Sequence, residues 1–319
     1  MKNKLFLLFL LSMLTFTNVF GQHTNFNSQR NWSLNKKEFF FGVGATNFLG
    51  DLGGRNRIGT DYSPVDFDID ATSLGGMLGY RFRFSPKWAT STQISGGLVR
   101  GSDANTQEVI RKSRNLSFRS PIASVSQRIE FILFAKEQFG ARYKIPGING
   151  MKDKNTQGYV FIGIGATYFN PQANLNGTWV NLRPLHTEGQ GLVGGPEQYG
   201  MVTAIVPMGV GVRVGLDKLW RIGFELTYTK TFSDYIDDVS TTYYDKSAIA
   251  AAYGNEAAYL SNPSYQNQYW FAGGQQRGDK QKDSYLNFNL VFYRNLTYKP
   301  TNYKFGRTPK FRSAGRYKF

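Results

Sequence analysis

Between residues 220 and 231 the chain alternates without a break. Ile222, Phe224, Leu226 and Tyr228 fall on one side, and Arg221, Gly223, Glu225, Thr227 and Thr229 on the other. A period of two marks a strand, because successive Cβ atoms leave opposite faces of the pleat. An Arg and a Glu in mid-strand, opposite an apolar row, suit a barrel with lipid outside and a polar, filled interior. After Phe232 the pattern breaks into an acidic, tyrosine-rich segment, 233–245, where the strand enters a loop.

The same period recurs along the chain. Residues 37–52 set Phe39, Phe41, Val43 and Ala45 against Phe40, Gly42, Gly44 and Thr46. Residues 74–84 set Leu78, Tyr80, Phe82 and Phe84 against Arg81 and Arg83. After the turn Ser85-Pro86-Lys87, residues 88–101 set Ile94 and Leu98 against Gln93, Ser95 and Gly97. A charged loop is expected over 103–121. Residues 122–134 then set Ile129, Phe131 and Leu133 against Ser124, Ser126, Arg128 and Glu130. Residues 159–169, 202–215 and 284–297 alternate likewise, and Leu216-Asp217-Lys218-Leu219 is a tight turn. No βαβ spacing intervenes. The pattern predicts an all-β fold: an eight-stranded antiparallel transmembrane β-barrel, with a ten-stranded variant left open by the long loops.

Eight is the smallest common size for an outer-membrane barrel, and at that size side chains fill the interior. Arg81, Arg83, Arg128, Arg213, Glu130 and Glu225 all fall on the inward face. Buried charges need partners, so a plugged, ion-paired lumen with no pore is expected. Turns are short on the periplasmic side and loops long outside. Loops 53–73, 102–121, 170–201 and 233–283 are therefore expected outside. Both termini and the connection 135–158 are expected in the periplasm, the latter long for that side.

Composition places the chain in its compartment. It has 319 residues, a net charge of +16 and a mean hydropathy of −0.38. A barrel tolerates that hydropathy, since half of each strand and all loops are polar. Residues 1–21 read as a secretory signal peptide, with Lys2 and Lys4 before an apolar stretch too short to span. Export removes the chain from nucleic acid despite its basicity. There is no cysteine, hence no disulfide framework and no Cys-borne lipid anchor, so the fold must hold it in the membrane. The expected organisation is signal peptide 1–21, outer-membrane barrel 22–297 and basic periplasmic tail 298–319.

A resemblance appears in the acidic stretch KTFSDYIDDVSTTYYD (230–245), which contains Asp234, Tyr235, Asp237, Asp238 and Tyr243. It resembles the signature of the PorG-like outer-membrane proteins of Bacteroidetes, barrel components of the type IX protein secretion system. GVGATNFLGDLGG (42–54), YVFIGIGATYFNPQA (159–173), LRPLHTEGQGL (182–192) and IVPMGVGVRVG (205–215) are similar to the same family. The resemblance spans nearly the whole mature chain. It implies a non-enzymatic barrel that assembles or anchors a periplasmic ring of a lipoprotein and a companion soluble subunit, serving export, gliding or virulence-factor secretion.

Candidate chemistry is sparse. The two histidines are His23 and His186. Some outer-membrane barrels act on lipid or peptide with a rim His beside Ser or Asp, which keeps an enzyme as the rival class. His186 has no local catalytic signature and reads as a loop residue with a structural role. An OmpA-type anchor is a third class, though no peptidoglycan-binding domain is read after Thr297. Gly42-Val43-Gly44 and Gly209-Val210-Gly211 lie inside strands and open no helix, which removes the dinucleotide reading. Asp234, Asp237, Asp238 and Asp245 lack the spacing of a calcium loop and read as turn and capping carboxylates. No pattern calls for a cofactor, a metal or a small-molecule substrate.

Aromatics crowd the last loop: Tyr243, Tyr244, Tyr253, Tyr259, Tyr265, Tyr269 and Trp270 suit an interface belt or protein contacts. Residues 246–260 read as a short Ala-rich helix. The tail has no acidic residue, and Lys299, Lys304, Phe305, Arg307, Lys310, Phe311, Arg312, Arg316 and Tyr317 mix cations with rings. These residues are the expected docking strap for the periplasmic ring.

Overall fold

The computed structural model describes residues 32–52, 71–105, 109–136, 156–216, 219–265, 269–273, 275–278 and 281–297. The expected signal peptide, much of loop 53–73, the middle of the 135–158 connection and the tail lie outside these residues.

Eight long strands form the wall: β1 (Lys37–Leu49), β2 (Ser73–Arg83), β3 (Trp88–Ser102), β4 (Ser117–Lys136), β5 (Thr156–Phe169), β8 (Val202–Gly215), β9 (Trp220–Thr231) and β10 (Ser284–Asn295). Each pairs antiparallel with its neighbours, β1 closes onto β10, and β3 pairs with β4, so the sheet is a closed barrel. The short strands β6 (Gln172–Leu175) and β7 (Thr178–Asn181) form a hairpin within the 170–201 loop. It pairs with the wall at one position, Arg119 with Gln172, and adds no stave to the barrel. The barrel therefore has eight strands, not ten.

Inward and outward faces follow the sequence period. Phe39, Phe41 and Val43 are exposed while Glu38, Phe40 and Thr46 are buried. The same alternation sets exposed Ile162 and Ile164 against buried Phe161 and Thr167. It also sets exposed Phe224 and Leu226 against buried Arg221, Glu225 and Thr227. A bulge between Ile132 and Phe134 breaks the register of β4. One extra residue there turns both Leu133 and Phe134 outward. Inward glycines make room: a Cβ on Gly211 would lie 2.4 Å from the hydroxyl of Tyr159.

One end of the barrel carries short turns. The Phe84 amide bonds the Trp88 carbonyl at 3.2 Å, and the Leu216 amide bonds the Trp220 carbonyl at 3.0 Å. The first and last strands meet there too, with the Lys37 amide donating to Thr297 Oγ1 at 2.8 Å. The other end carries the long loops. The expected loop over 103–121 is instead a 3-10 turn (Asp103–Asn105), helix α1 (Val109–Arg114) and the first residues of β4. The single helix expected over 246–260 is two, α2 (Lys246–Tyr253) and α3 (Asn255–Ser261), divided at Gly254 with φ 94°. Strand β1 ends at Leu49 and β10 at Asn295, a few residues short of expectation.

The interior has two layers. Toward the turns it is ionic and aromatic. Toward the loops the main apolar cluster gathers Phe48, Leu52, Val99, Phe118, Phe169, Ile236 and Tyr285. Loops that fold back over the barrel mouth cover this cluster.

Candidate functional site

The lower layer is a buried charge network centred on Glu38. Its Oε2 accepts from Arg81 Nη1 at 2.9 Å and from Arg213 Nη1 at 3.0 Å. Arg221 Nη1 approaches Oε1 at 3.0 Å, an ion pair rather than an aligned hydrogen bond. Arg81 Nε reaches Glu130 Oε2 at 2.5 Å, and Arg128 Nη1 reaches Glu225 Oε1 at 2.6 Å. The Tyr159 hydroxyl donates to Glu225 Oε2 at 2.9 Å and lies 2.8 Å from the Tyr293 hydroxyl. Arg213 Nε donates to Gln157 Oε1 at 2.9 Å. Rings cover the guanidinium faces: Arg128 is 4.3 Å from the Phe161 centre and Arg213 is 5.2 Å from that of Tyr159.

Three glutamates thus pair with four arginines, leaving one positive charge in excess among these seven, in a core where each ion alone would cost several kcal/mol to bury. All seven are buried. The expected plugged lumen is present, with Arg81, Arg128, Arg213, Glu130 and Glu225 in it. Arg83 differs: its Nη2 donates to the Pro86 carbonyl at 2.5 Å and its Nε to the Ser85 carbonyl, so it braces the turn. Glu38 was not among the inward charges read from the sequence. Its parity with Phe40 and Gly42 is the signal that places it inside.

The upper layer is a cap built from distant loops. Asp237 accepts from the amides of Leu52 (3.2 Å) and Val239 (3.0 Å). Asp283 accepts from the Ile236 amide at 2.9 Å. Glu188 accepts from the Ser240 amide at 2.9 Å, from Thr241 Oγ1 at 2.6 Å and from Arg277 Nη1 at 3.1 Å. Arg277 Nη1 also donates to the Asp238 carbonyl at 2.5 Å. Asp238 accepts from the Tyr199 hydroxyl at 2.6 Å and from Thr187. Arg114 grips Asp103 with two bonds, at 2.7 and 2.9 Å, and reaches the Arg277 and Asp51 carbonyls.

Titration follows this burial. Asp238 is raised by desolvation to about 6, although Arg277 pulls the other way. Asp237 and Asp283 are pushed well above the usual carboxylate range, first by burial and then by neighbouring carboxylates. Burial likewise lifts the Tyr235 and Tyr243 phenols to about 12.

Of the signature-loop residues, Asp234, Asp237 and Asp238 lie in the cap interior. Asp234 Oδ2 accepts from Ser240 Oγ at 2.6 Å. Tyr235 stacks on Tyr199 at 4.5 Å and Tyr243 packs on Trp270 at 5.8 Å. Asp245 caps helix α2, accepting from the Ser247 amide at 3.0 Å. Asp237 and Asp238 hold remote loops together, a role beyond local turn capping. Several crowded aromatics are likewise internal: Tyr243 and Trp270 are buried, and Tyr253 donates to the Gln190 carbonyl at 3.0 Å. Tyr259, Tyr265 and Tyr269 are exposed.

His186 sits at φ 49° with its ring stacked 4.2 Å from that of Tyr253. Its Nε2 lies 3.4 Å from the Gln198 amide nitrogen. Among the described residues no group of three His, Cys, Asp or Glu side chains is placed to hold a metal. The docking residues Lys299, Lys304, Phe305, Arg307, Lys310, Phe311, Arg312, Arg316 and Tyr317 lie outside the described residues. Glu188, Arg277, Arg114 and Asp103 carry the cap, and sequence reading did not single them out. No periodic signal joins such loop residues, though Glu188 lies inside a stretch that carries the family resemblance.

No family model matches the chain, and no curated protein matches it. Solved structures similar to it include Ail, the attachment invasion locus protein of Yersinia pestis, in complex with the heparin analogue sucrose octasulfate. That match has 9% identity and a TM-score of 0.36, covering 81% of this chain and 97% of Ail. Neisserial surface protein A matches at 4% identity and a TM-score of 0.34, covering 82% and 97%. The outer membrane protein OprG of Pseudomonas aeruginosa matches at 8% identity and a TM-score of 0.31, covering 82% and 96%.

Proposed function

We propose that this chain is a non-enzymatic outer-membrane component of the type IX protein secretion system. It anchors or assembles the periplasmic ring made of a lipoprotein and its companion subunit. The membrane part of this reading rests on the barrel's outer face. Val43, Ile164, Val210, Val212, Phe224 and Phe288 are exposed there in continuous rows. Water-soluble monomers rarely expose apolar patches beyond a few hundred Å², whereas lipid requires them. Trp88 and Phe131, 4.9 Å apart near the turns, suit an interfacial aromatic girdle. Two of the three connections between strands at the turn end are tight and the loops at the other end are long, which fits the usual barrel topology apart from the 135–158 connection.

The observation that carries the role is where the family-like stretches meet. Leu52 from the first, Thr187 and Glu188 from the third, and Asp237, Asp238 and Thr241 from the acidic signature join one buried cap network. Phe169, at the end of β5 and within the second stretch, packs beneath it. Stretches far apart in sequence thus serve one structural purpose. The sealed ionic lumen favours an anchor over a conduit, and His186, stacked on Tyr253, favours a structural residue over a base.

The test is deletion in the native host with complementation. Export of secreted proteins should fall to background and return with the full chain. Export at the wild-type level in the deletion strain would remove the secretion role while leaving the membrane reading standing.

A further inference from the structure

The outer wall is not uniform. Over β5, β8, β9 and β10 its outward positions are bulky and apolar, with Ile162, Ile164, Val210, Phe224 and Phe288 all exposed. On β3 and β4 a polar cluster interrupts that surface. Gln127 is exposed and stands directly opposite Thr92, also exposed, in the register of the two strands. Its Oε1 accepts from Thr92 Oγ1 at 2.5 Å, and its Nε2 donates to Thr90 Oγ1 at 2.6 Å. Thr90 gives its own proton to the Arg128 carbonyl at 2.9 Å.

Thr92 follows Trp88 by four positions along β3. At ~3.4 Å per residue and a tilt of ~40°, the cluster lies roughly 10 Å from the Trp88 girdle, inside an apolar band about 25 Å tall. A side-chain amide offers two N–H donors and two acceptor lone pairs. Gln127 uses one of each within the chain. On its other side β5 presents Ile164, which can take neither. One donor and one acceptor are left facing hydrocarbon, where no water satisfies them.

Toward the loops the wall beside this amide loses its bulk. Ala123 pairs with Gly96, and Gly96 with Gly76. A Cβ on Gly76 or Gly96 would meet only a backbone oxygen at 3.4 Å, an ordinary contact. The interior does not demand glycine at either position. Their small size matters on the outer surface, where it lets another wall come close.

We propose that a second copy of this chain covers this face, forming a two-fold dimer whose axis runs along the membrane normal beside Gln127. The amide itself selects a copy over another partner. Chains inserted the same way carry Gln127 at the same depth, and a two-fold axis sets each amide against its twin. The spare N–H of each donates to the spare lone pair of the other, so one symmetric pair satisfies both leftover groups. The Gly76–Gly96–Ala123 patch lets the walls approach to that distance. This inference rests on the proposed membrane location and not on the secretion role.

The chain has no cysteine, so a single introduced thiol reports its own contacts. The test folds the full mature chain carrying Ala123→Cys into phosphatidylcholine vesicles at a high lipid-to-protein ratio, oxidises it and reads covalent dimer on a denaturing gel. Phe288→Cys, on β10 across the barrel, is the control. Ala123→Cys should cross-link in most chains and Phe288→Cys only at background. Adding Gln127→Leu should cut the Ala123→Cys yield several-fold and leave insertion and heat-modifiability unchanged. Chains otherwise unaltered and dye-labelled at the mature N-terminus should bleach in two steps. Equal yields at the two thiols, full yield with Gln127→Leu, or single-step bleaching throughout would overturn the dimer alone. So would a native outer membrane in which Ala123→Cys cross-links only to a different protein. A chain that does not insert would overturn the membrane reading and the dimer with it.

Discussion

Arg213 Nη1 lies 3.0 Å from Glu38 Oε2 across the barrel interior, a bond between residues separated by 175 positions in sequence. Both side chains are 0% exposed. Glu38 also meets Arg81 and Arg221, so one carboxylate from β1 ties down β2, β8 and β9. Such a hub fills this layer of the closed barrel with paired side chains.

The hub predicts an asymmetric response to mutation. Glu38→Ala leaves three buried guanidinium groups short of their shared partner. Breaking a buried ion network from one side costs about 3–5 kcal/mol. The loss should appear as a lowered urea midpoint for the barrel folded in vesicles. An unchanged midpoint would mean the network contributes nothing to the folded state.

The cap should respond to pH with a definite sign. Burial raises Asp238 from 3.8 to about 6, so the folded state holds its proton more tightly than the unfolded chain. The stabilisation is full below about pH 4 and is lost as pH rises through about 6. Asp237 and Asp283, also raised, act in the same direction. Limited proteolysis of the loops should therefore be slower at pH 5 than at pH 7.5. Asp238→Asn should flatten that difference, and a cap more resistant at pH 7.5 would contradict the assignment.

The wall of the barrel was plain in the sequence because period two reports which face each residue takes. Strand β8 begins and ends where alternation places it, at Val202 and Gly215. The reading failed where the interior changes character. In the first residues of β4, Phe118 points in and Arg119 points outward, because the barrel mouth holds the apolar cluster under the cap. A search for apolar residues outside and charges inside therefore read 117–121 as loop. The cap itself was illegible for a different reason. Glu188, Arg277 and Arg114 come from separate loops, and only the folded chain brings them together.

Lipid exposure is tested at Val210, which faces outward between Val160 and Leu226. Val210→Lys should impair insertion by about 2–4 kcal/mol for a site near the bilayer midplane. Its neighbour Gly209 faces inward, where a Cβ would lie 2.1 Å from the Leu226 carbonyl oxygen. Gly209→Val should block assembly by steric conflict in detergent and lipid alike. Equal tolerance of Lys at Val210 in both media would mean this face does not meet lipid.

The basic tail gives a separate prediction about attachment. Truncation after Thr297 should leave a heat-modifiable barrel, since β10 ends at Asn295, while reducing recovery of the periplasmic ring. Salt should weaken the intact interaction, because exposed charges are screened over about 10 Å at 0.1 M. A folded truncation that retains the ring at full strength would place the contact elsewhere.

The central claim is that this sealed barrel holds a periplasmic machine at the outer membrane. Its most direct test is purification of the tagged full chain from outer membranes in mild detergent, followed by identification of co-eluting proteins. The account predicts a periplasmic lipoprotein and a companion soluble subunit, recovered together with the folded barrel. Recovery of the folded, membrane-derived barrel with neither protein would contradict it.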